Sequence, residues 1–175
     1  MMISMISLRK MNQEEFENLV EKNKVRYIQD LEKYNEDFQK ELKISAKEFG
    51  MKQINDLLKD GLNSPEQHYM VVVDSTSKQD IGILWLMEKP KQKILFIADI
   101  FLEKQFRGQG FGTTILKKID KLAQSEYGYG KIGLHVFKHN PRAKKLYENV
   151  GYRVVQEDFT GYTMIKEISK NSEHL

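Results

Sequence analysis

A glycine-rich loop between a strand and a helix constrains this chain more than any other feature. The sequence Arg-Gly-Gln-Gly-Phe-Gly occupies residues 107–112, after the apolar run 94–102 and before an amphipathic stretch with Ile115, Leu116 and Ile119. The first turn of a helix offers unpaired backbone N–H groups and the positive end of the helix dipole, and glycines let a ligand approach the backbone. The loop therefore predicts either a tight turn or a phosphate-binding site.

Two familiar nucleotide-binding motifs do not fit the loop. A P-loop needs Gly-Lys-Ser/Thr after four intervening residues, and the chain contains no such sequence. A dinucleotide-binding fingerprint that begins at Gly108 needs its third glycine where Thr113 stands. It also needs an acidic residue at the end of the next strand, where Lys138 and His139 stand. The surrounding residues must therefore decide what the loop binds.

Composition fits one globular domain over residues 1–175, which we expect to be cytoplasmic. The chain has no cysteine, which excludes disulfides and thiolate nucleophiles. No apolar run approaches the roughly 20 residues of a membrane helix, and the apolar start is too short for a signal peptide. The net charge of +3 is too small to predict a nucleic-acid partner, but residues 104–145 carry ten basic and two acidic residues. Such a stretch suits a polyanionic ligand or a solvated helix face.

The apolar pattern predicts the order β-α-α-β-β-β-α-β-α-β-β, a mixed α/β sheet with helices on both faces. Asn12 with Glu15 and Ser45 with Glu48 are capping-box pairs that open the first two helices. The run 94–102 is almost continuously apolar, as expected for a central strand covered on both faces. The predicted strands cover residues 4–10, 68–74, 81–88, 94–102, 132–137, 152–156 and 162–168.

A second motif lies downstream of the glycine loop. Asn140-Pro141 reads as an N-cap and first helical residue, and the helix continues through Ala143 and Leu146-Tyr147 to Gly151. Together with the Arg-x-x-Gly-x-Gly pattern of residues 107–112, this motif resembles the GNAT superfamily of N-acetyltransferases. The resemblance is specific from about residue 94 to residue 168. The stretch Leu-His-Val-Phe-Lys-His-Asn at 134–140 is similar to that of a bacterial subgroup.

The resemblance implies the GNAT fold, with a central mixed sheet of about seven strands and four helices on both faces. In that family the fourth strand usually carries a β-bulge and splays away from the fifth, and the pantetheine of acetyl-CoA enters the opening like another strand. Backbone groups of Ile100 and Leu102 are then expected to bind pantetheine, and N–H groups of residues 108–113 the pyrophosphate. Asn140 is explained equally well by capping its helix. The expected coenzyme-binding residues are Ile100, Leu102, Arg107, Gly108, Gln109, Gly110, Phe111, Gly112, Thr113, Asn140 and Ala143.

Three side chains are candidates for proton transfer. Tyr147 matches the family's usual general acid, which protonates the departing thiolate, although packing over the sheet is the alternative. His135 stands five residues before Asn140, where several relatives that acetylate peptide amines carry a catalytic Glu. The sequence departs from the family there, and a half-buried, hydrogen-bonded histidine explains the residue equally well. Asp99 is the rival base or braces the bulge, and ordered water is the third proton acceptor.

The predicted activity is acetyl transfer from acetyl-CoA to a primary amine by direct attack in a ternary complex. A metal is not expected, because the four histidines are scattered. The amine belongs to a small molecule, a peptide or a protein, and no nucleic acid or membrane partner is expected. A non-catalytic acyl-CoA-binding regulatory module is the alternative, and the final hairpin offers an edge strand for a homodimer. Acidic residues in the first helix region suit a cationic acceptor, or simply a solvated face: Glu14, Glu15, Glu17, Glu21, Asp30, Glu32, Glu36 and Asp37.

Overall fold

The computed structural model describes residues 5–168, which form one seven-stranded mixed sheet. The sheet has the order β1-β2-β3-β4-β5-β7-β6, and only β4 and β5 are parallel neighbours. The predicted mixed sheet is confirmed, and Ser4 of the first predicted strand lies outside the described residues. The strands are β1 Ile6–Lys10, β2 Gln67–Asp74, β3 Asp80–Lys89, β4 Ile94–Leu102, β5 Lys131–Phe137, β6 Arg153–Glu157 and β7 Gly161–Glu167.

Four longer helices lie where the sequence predicts them. The helical segments are α1 Gln13–Glu32, α2 Asn35–Asp37, a π-helical turn Phe38–Leu42, α3 Ala46–Leu58, a 3₁₀ turn Lys104–Phe106, α4 Phe111–Ser125 and α5 Pro141–Asn149. The Asn12 side chain accepts from the Glu15 amide and the Glu15 carboxylate accepts from the Asn12 amide, both at 2.9 Å, so the capping box is complete. Ser45 caps α3 by accepting from the Glu48 amide at 3.1 Å. The short α2 and the π-helical turn were not predicted.

Helices cover both faces of the sheet. On one face α4 packs through Ile115, Leu116 and Ile119 against strands β2 to β5. On the other face α1 and α3 pack through a smaller cluster around Tyr69 and Trp85. The amphipathic period of each helix therefore fits one apolar layer, and burying these layers supplies most of the stability.

One face of β4 is less covered than its apolar sequence predicts. Leu95 and Ile97 are buried on the α4 face. Phe96 and Ala98, on the α1 and α3 face, are only half-buried because a cavity separates them from the helices. The prediction that both faces are covered is therefore wrong on the helix α1 side, and this side holds the candidate site.

A β-bulge in β4 coincides with the place where β4 and β5 separate. Trp85 pairs with Asp99, whereas the next residue of β3, Leu86, pairs with Ile97, so Ala98 is the additional residue. The last β4–β5 pair is Ile97 with Leu134. Both strands continue beyond that pair without facing each other. The predicted splay between the fourth and fifth strands is therefore present.

Candidate active site

A cavity of about 730 Å³ occupies the opening between β4 and β5. Strands β4 and β5 and helix α5 line one side, and α1, the π-helical turn and α3 line the other. Six residues singled out from the sequence meet in its wall: Asp99, Ile100, His135, Asn140, Ala143 and Tyr147. Leu102, the last residue of β4, and the glycine loop that follows it lie outside this lining. The structure thus places the candidate proton-transfer groups together, with the loop beside them.

Backbone groups of Ile100 and Leu102 point into the opening. The Glu103 amide donates to the Ile81 carbonyl at 2.9 Å, which makes that antiparallel pair a hydrogen-bonded one. Hydrogen-bonded and non-hydrogen-bonded pairs alternate along an antiparallel ladder. Ile100 and Leu102 therefore occupy non-hydrogen-bonded pairs with β3, and their N–H and C=O groups face the side where β5 has departed.

The glycine loop presents an open helix N-terminus. Gly108 and Gly110 have φ of 73° and 86°, in the left-handed region that favours glycine. No atom lies within 4 Å of the position that a Cβ would take at either residue. Gly110 is the N-cap of α4, and Thr114 is the first residue whose amide donates to it, at 3.2 Å. The amides of residues 111–113 therefore have no intrahelical acceptor, and together with the helix dipole they suit an anion.

Arg107 ties the loop to the end of β4. Its Nε donates to the Leu102 carbonyl at 2.8 Å, and its guanidinium lies 5.2 Å from the centre of the Phe101 ring. The guanidinium of Arg26, from α1, lies 4.4 Å from the same ring centre. Gln109 donates from its side chain to the Gln105 carbonyl at 2.7 Å. Arg107 thus supports the backbone of the opening from outside the cavity.

Asp99 faces α1 because of the bulge. Regular alternation after the buried Ile97 would place Asp99 on the α4 face, whereas the additional residue turns it to the other side. There its Oδ2 accepts from Asn23 Nδ2 at 2.8 Å and pairs with the Arg26 guanidinium at 2.5 Å. Neither α1 partner was predicted from the sequence, although a carboxylate in an apolar strand did require partners or a cavity. Asp99 has both.

Tyr147 is a half-buried phenol in the cavity wall. Burial and then the nearby Asp99 charge raise the pKa of its hydroxyl above the usual value, so the group stays protonated at neutral pH. Among residues 5–168 its hydroxyl has no hydrogen-bond partner. Its ring packs edge-on against Tyr152 with 5.9 Å between centroids. The position of the ring is thus fixed while the hydroxyl remains available.

His135 belongs to a small polar network at the other side of the cavity. Its Nε2 lies 3.3 Å from Thr160 Oγ1 and 3.6 Å from Asp158 Oδ2. Burial lowers the pKa of the imidazole, and the Asp158 charge opposes this shift only in part. Burial also raises the pKa of Asp158, but hydrogen bonds from Thr160 and Gly161 outweigh it and lower the pKa overall. Sequence reasoning missed Asp158 and Thr160, for which the Asp-x-Thr-Gly turn was the available signal.

Asn140 acts as the cap that its sequence predicts. Its Oδ1 accepts from the Ala143 amide at 3.1 Å, and Pro141 takes the first helical position. This contact fixes the start of α5, and therefore the position of Tyr147 two turns later. Asn140 and Ala143 also line the cavity.

Only Asp30, of the eight acidic residues named from the first helix region, lines the cavity. Its Oδ1 pairs with Lys33 at 3.0 Å and with His139 Nε2 at 2.9 Å. The acidic mouth expected from the sequence is therefore reduced to one residue of that set. Apolar side chains complete much of the lining: Leu31, Phe38, Leu42, Phe49, Ile54, Leu57, Trp85, Met87, Phe96, Phe137 and Phe159.

The described residues 5–168 contain no cluster of three or more His, Cys, Asp or Glu side chains that could hold a metal ion. No helix in the same range combines the length and apolar character needed to cross a membrane.

Comparison with known proteins identifies the fold. The Acetyltransferase (GNAT) family profile matches residues 29–152, well over half of the chain. The chain belongs to the GNAT acetyltransferase family. The family resemblance read from the sequence is thereby confirmed, and the GNAT fold accounts for the parallel β4–β5 pair and the opening that follows it.

Three proteins with acetyltransferase names resemble this chain in sequence or in fold. The uncharacterized N-acetyltransferase YycN of Bacillus subtilis is 38% identical over 100 residues, which are 56% of this chain and 63% of YycN. The YycN crystal structure aligns with a TM-score of 0.75 and 30% identity, covering 89% of this chain and 97% of the YycN chain.

The other two relatives are more distant. Bovine (Bos taurus) thialysine N-epsilon-acetyltransferase is 33% identical over 67 residues, 38% of this chain and 39% of that enzyme. Spermidine N-acetyltransferase from Vibrio cholerae, in complex with CoA and spermine, aligns at 21% identity with a TM-score of 0.65, covering 93% and 95% of the two chains. This last likeness is one of fold. In sequence, the chain matches less than two thirds of the length of YycN and of the thialysine enzyme.

Proposed function

We propose that this GNAT protein transfers the acetyl group of acetyl-CoA to a primary amine by direct attack in a ternary complex. The observation that carries the proposal is the meeting of Tyr147, His135 and the outward-facing backbone of Ile100 in one cavity at the β4–β5 opening. Family membership supports the same reaction class. A donor at the opening and an amine in the cavity would reach each other without a covalent enzyme intermediate.

The donor side is proposed to be the opening and the adjoining glycine loop. Acetyl-CoA supplies an activated thioester when it is bound. The amides of residues 111–113 suit its pyrophosphate, because they are unpaired and nothing obstructs the approach at Gly108 and Gly110. Backbone groups of Ile100 and Leu102 suit the amide groups of pantetheine, although Arg107 already uses the Leu102 carbonyl. The remaining donor contacts are proposed for Arg107, Gln109, Asn140 and Ala143.

His135 is the better supported of the two candidate bases. Burial keeps its imidazole neutral at pH 7, the state that can accept a proton. Thr160 donates its hydroxyl hydrogen to Asp158 at 2.6 Å, so Thr160 Oγ1 can accept from His135 Nε2–H and leave Nδ1 as the proton acceptor. Asp99 is less suited, since its Oδ2 already accepts from Asn23 and pairs with the Arg26 guanidinium.

The proposed reaction has two steps. The neutral amine nitrogen attacks the thioester carbonyl carbon, an N–C bond forms, and the C=O π electrons move to oxygen while His135 Nδ1 takes a proton from nitrogen. The tetrahedral species then expels the thiolate, the C–S bond breaks, and the Tyr147 hydroxyl protonates the sulfur. Proton exchange with solvent restores both side chains, so the products are an N-acetyl amine and CoA thiol.

Thiol release from acetyl-CoA over a panel of primary amines tests the proposal. A relative named for thialysine and a structural neighbour in complex with CoA and spermine make both kinds of acceptor the first choices for the panel. We expect thiol release that depends on the amine, with the N-acetyl product identified by mass. Tight acetyl-CoA binding without turnover on any amine would instead support a non-catalytic acyl-CoA-binding module and overturn the enzymatic proposal.

A homodimer through β6 is proposed as the quaternary state of the single domain. Strand β6 lies at the edge of the sheet, and its Val154 and Val155 side chains are 39% and 44% exposed. An exposed apolar edge strand invites pairing with a second copy. Sedimentation of the wild-type protein and of Val155→Lys would test this: we expect a dimer that the charge disrupts, whereas a wild-type monomer would refute it.

A further inference from the structure

The cavity contains a lysine whose charge no carboxylate balances within residues 5–168. Lys89 is the last residue of β3 and lines the cavity. Its Nζ lies 3.8 Å from the centre of the Phe96 ring, which is its only close charge-stabilising contact in the described part of the chain. Its side chain is half-buried, and burial lowers the pKa of the ammonium. The site therefore holds an ammonium that lacks its counter-charge.

The other charged groups of the cavity already have partners. Arg26 pairs with Asp99, and Asp30 pairs with Lys33. Asp158 accepts hydrogen bonds from Thr160 and Gly161 and faces His135. Among the charged residues that line the cavity, Lys89 is thus the cation available to pair with an anionic group of a ligand.

The position of Lys89 relative to the proposed chemistry sets the length of the ligand. Its ammonium lies over Phe96, three residues before Asp99 along β4. At a strand rise of about 3.3 Å per residue, the positions of Phe96 and Asp99 are roughly 10 Å apart along β4, and slightly less because of the bulge. This separation is too long for the adjacent amine and carboxylate of an α-amino acid. It fits a carboxylate and an amine at opposite ends of a flexible side chain.

We infer that the acceptor is a free amino acid with a side-chain amine, whose carboxylate pairs with Lys89 while the amine lies among Asp99, His135 and Tyr147. This inference rests on the proposed function and adds the class of acceptor. The apolar lining beside Phe96, including Met87 and Trp85, suits the methylene chain between the two charges. A diamine or polyamine fits worse, because its second ammonium would lie against Lys89 without a carboxylate to separate the like charges.

Matched acceptor pairs test the inference. Lysine and cadaverine, or ornithine and putrescine, differ only by the carboxylate. We expect the wild-type kcat/KM to favour the amino acid, and Lys89→Met to reduce that preference by about tenfold, mainly through KM of the amino acid, as the loss of one charge-assisted contact. Lys89→Glu should reverse the preference. Lys91→Met, which removes an exposed lysine of the adjoining turn, should leave it unchanged.

Calorimetric binding of lysine and cadaverine to the CoA-bound protein gives a readout independent of turnover. Weaker binding of lysine than of cadaverine, or an unchanged preference in Lys89→Met with an unchanged melting temperature, would overturn the inference and leave the enzymatic proposal intact. Preferential lysine binding that Lys89→Met abolishes would support it. Absence of turnover with all four amines would overturn the inference, and turnover of another amine of the panel would then leave the proposed function standing.

Discussion

Replacing Tyr147 by Phe tests the proposed general acid by a change that should leave the fold intact. The hydroxyl has no hydrogen-bond partner among the described residues, so its removal leaves no polar group unpaired, and the ring retains its packing on Tyr152. We therefore expect the free energy of unfolding to change by less than about 0.5 kcal/mol. General acid catalysis contributes about 10²- to 10⁴-fold, so kcat should fall by at least ~100-fold. In barrier height that loss is about 3 kcal/mol or more.

Tyr152→Phe is the matched control. The Tyr152 ring packs against the Tyr147 ring but does not line the cavity, and its buried hydroxyl has no hydrogen-bond partner within residues 5–168. Removing a buried unsatisfied hydroxyl should stabilise the fold by about 1 kcal/mol. We expect Tyr152→Phe to keep wild-type kcat, since the group it loses does not face the proposed reaction.

The assay is steady-state thiol release at saturating amine, combined with acetyl-CoA binding by calorimetry and unfolding in urea. Tyr147→Phe should lower kcat while the Kd for acetyl-CoA stays within about twofold of wild type, because the donor contacts are assigned to backbone groups elsewhere. The assignment of Tyr147 as general acid is wrong if its Phe variant keeps kcat within a few fold of wild type. It is equally wrong if Tyr152→Phe loses as much activity as Tyr147→Phe.

Three further predictions, each with its own variants, test other parts of the protein. For His135→Gln we expect kcat/KM to fall about 100-fold and the acid limb of its pH profile to change. Because burial lowers the folded pKa of His135, the unfolded chain binds more protons between that pKa and about 6.5. The free energy of unfolding of the wild type should therefore decrease as the pH is lowered through this range. Retention of the limb would favour Asp99 or water as base. Gly110→Ala and Gly128→Ala both place alanine at positive φ, with no atom within 4 Å of the new Cβ, so each variant should lose about 1 kcal/mol of stability. Calorimetry should find weaker CoA binding in Gly110→Ala alone. Arg26→Met leaves the largely buried Asp99 with the Asn23 hydrogen bond but without its counter-charge. Urea unfolding should show a loss of about 1–2 kcal/mol that Asp99→Asn restores in the double variant.

Local signals in the sequence were sufficient for most of the fold. Caps such as Asn12 and Asn140 mark helix starts within a few residues, because the hydrogen bonds that form them are between neighbours in sequence. The glycine loop likewise follows from local backbone requirements, and Gly108 and Gly110 do have positive φ. The π-helical turn Phe38–Leu42 was not predictable, since it depends on the packing of Phe38 against Phe49 and Phe159.

The acceptor side of the cavity was less predictable for a physical reason. The partners of Asp99 lie on α1, more than 70 residues away in sequence, and nothing local in the sequence indicates that Asn23 and Arg26 reach it. The direction of Asp99 depends on a bulge that alternation alone would not predict. Most of the acids counted on α1 face away from the cavity, because composition does not specify which side of a helix is free.

The additional residue Ala98 divides β4 into two parts that contribute to the cavity in different ways. Before Ala98, Phe96 faces the cavity and its neighbour Leu95 lies in the opposite layer. After Ala98, Ile100 lies in the α4 layer and its backbone groups face the opening proposed for the donor. Substitutions at Phe96 could enlarge or narrow the acceptor end without disturbing the donor end. Deleting Ala98 would instead make Ile97 and Asp99 neighbours in a regular β3–β4 ladder. The residues that follow would keep their faces, but the bulge that coincides with the separation of β4 from β5 would be lost.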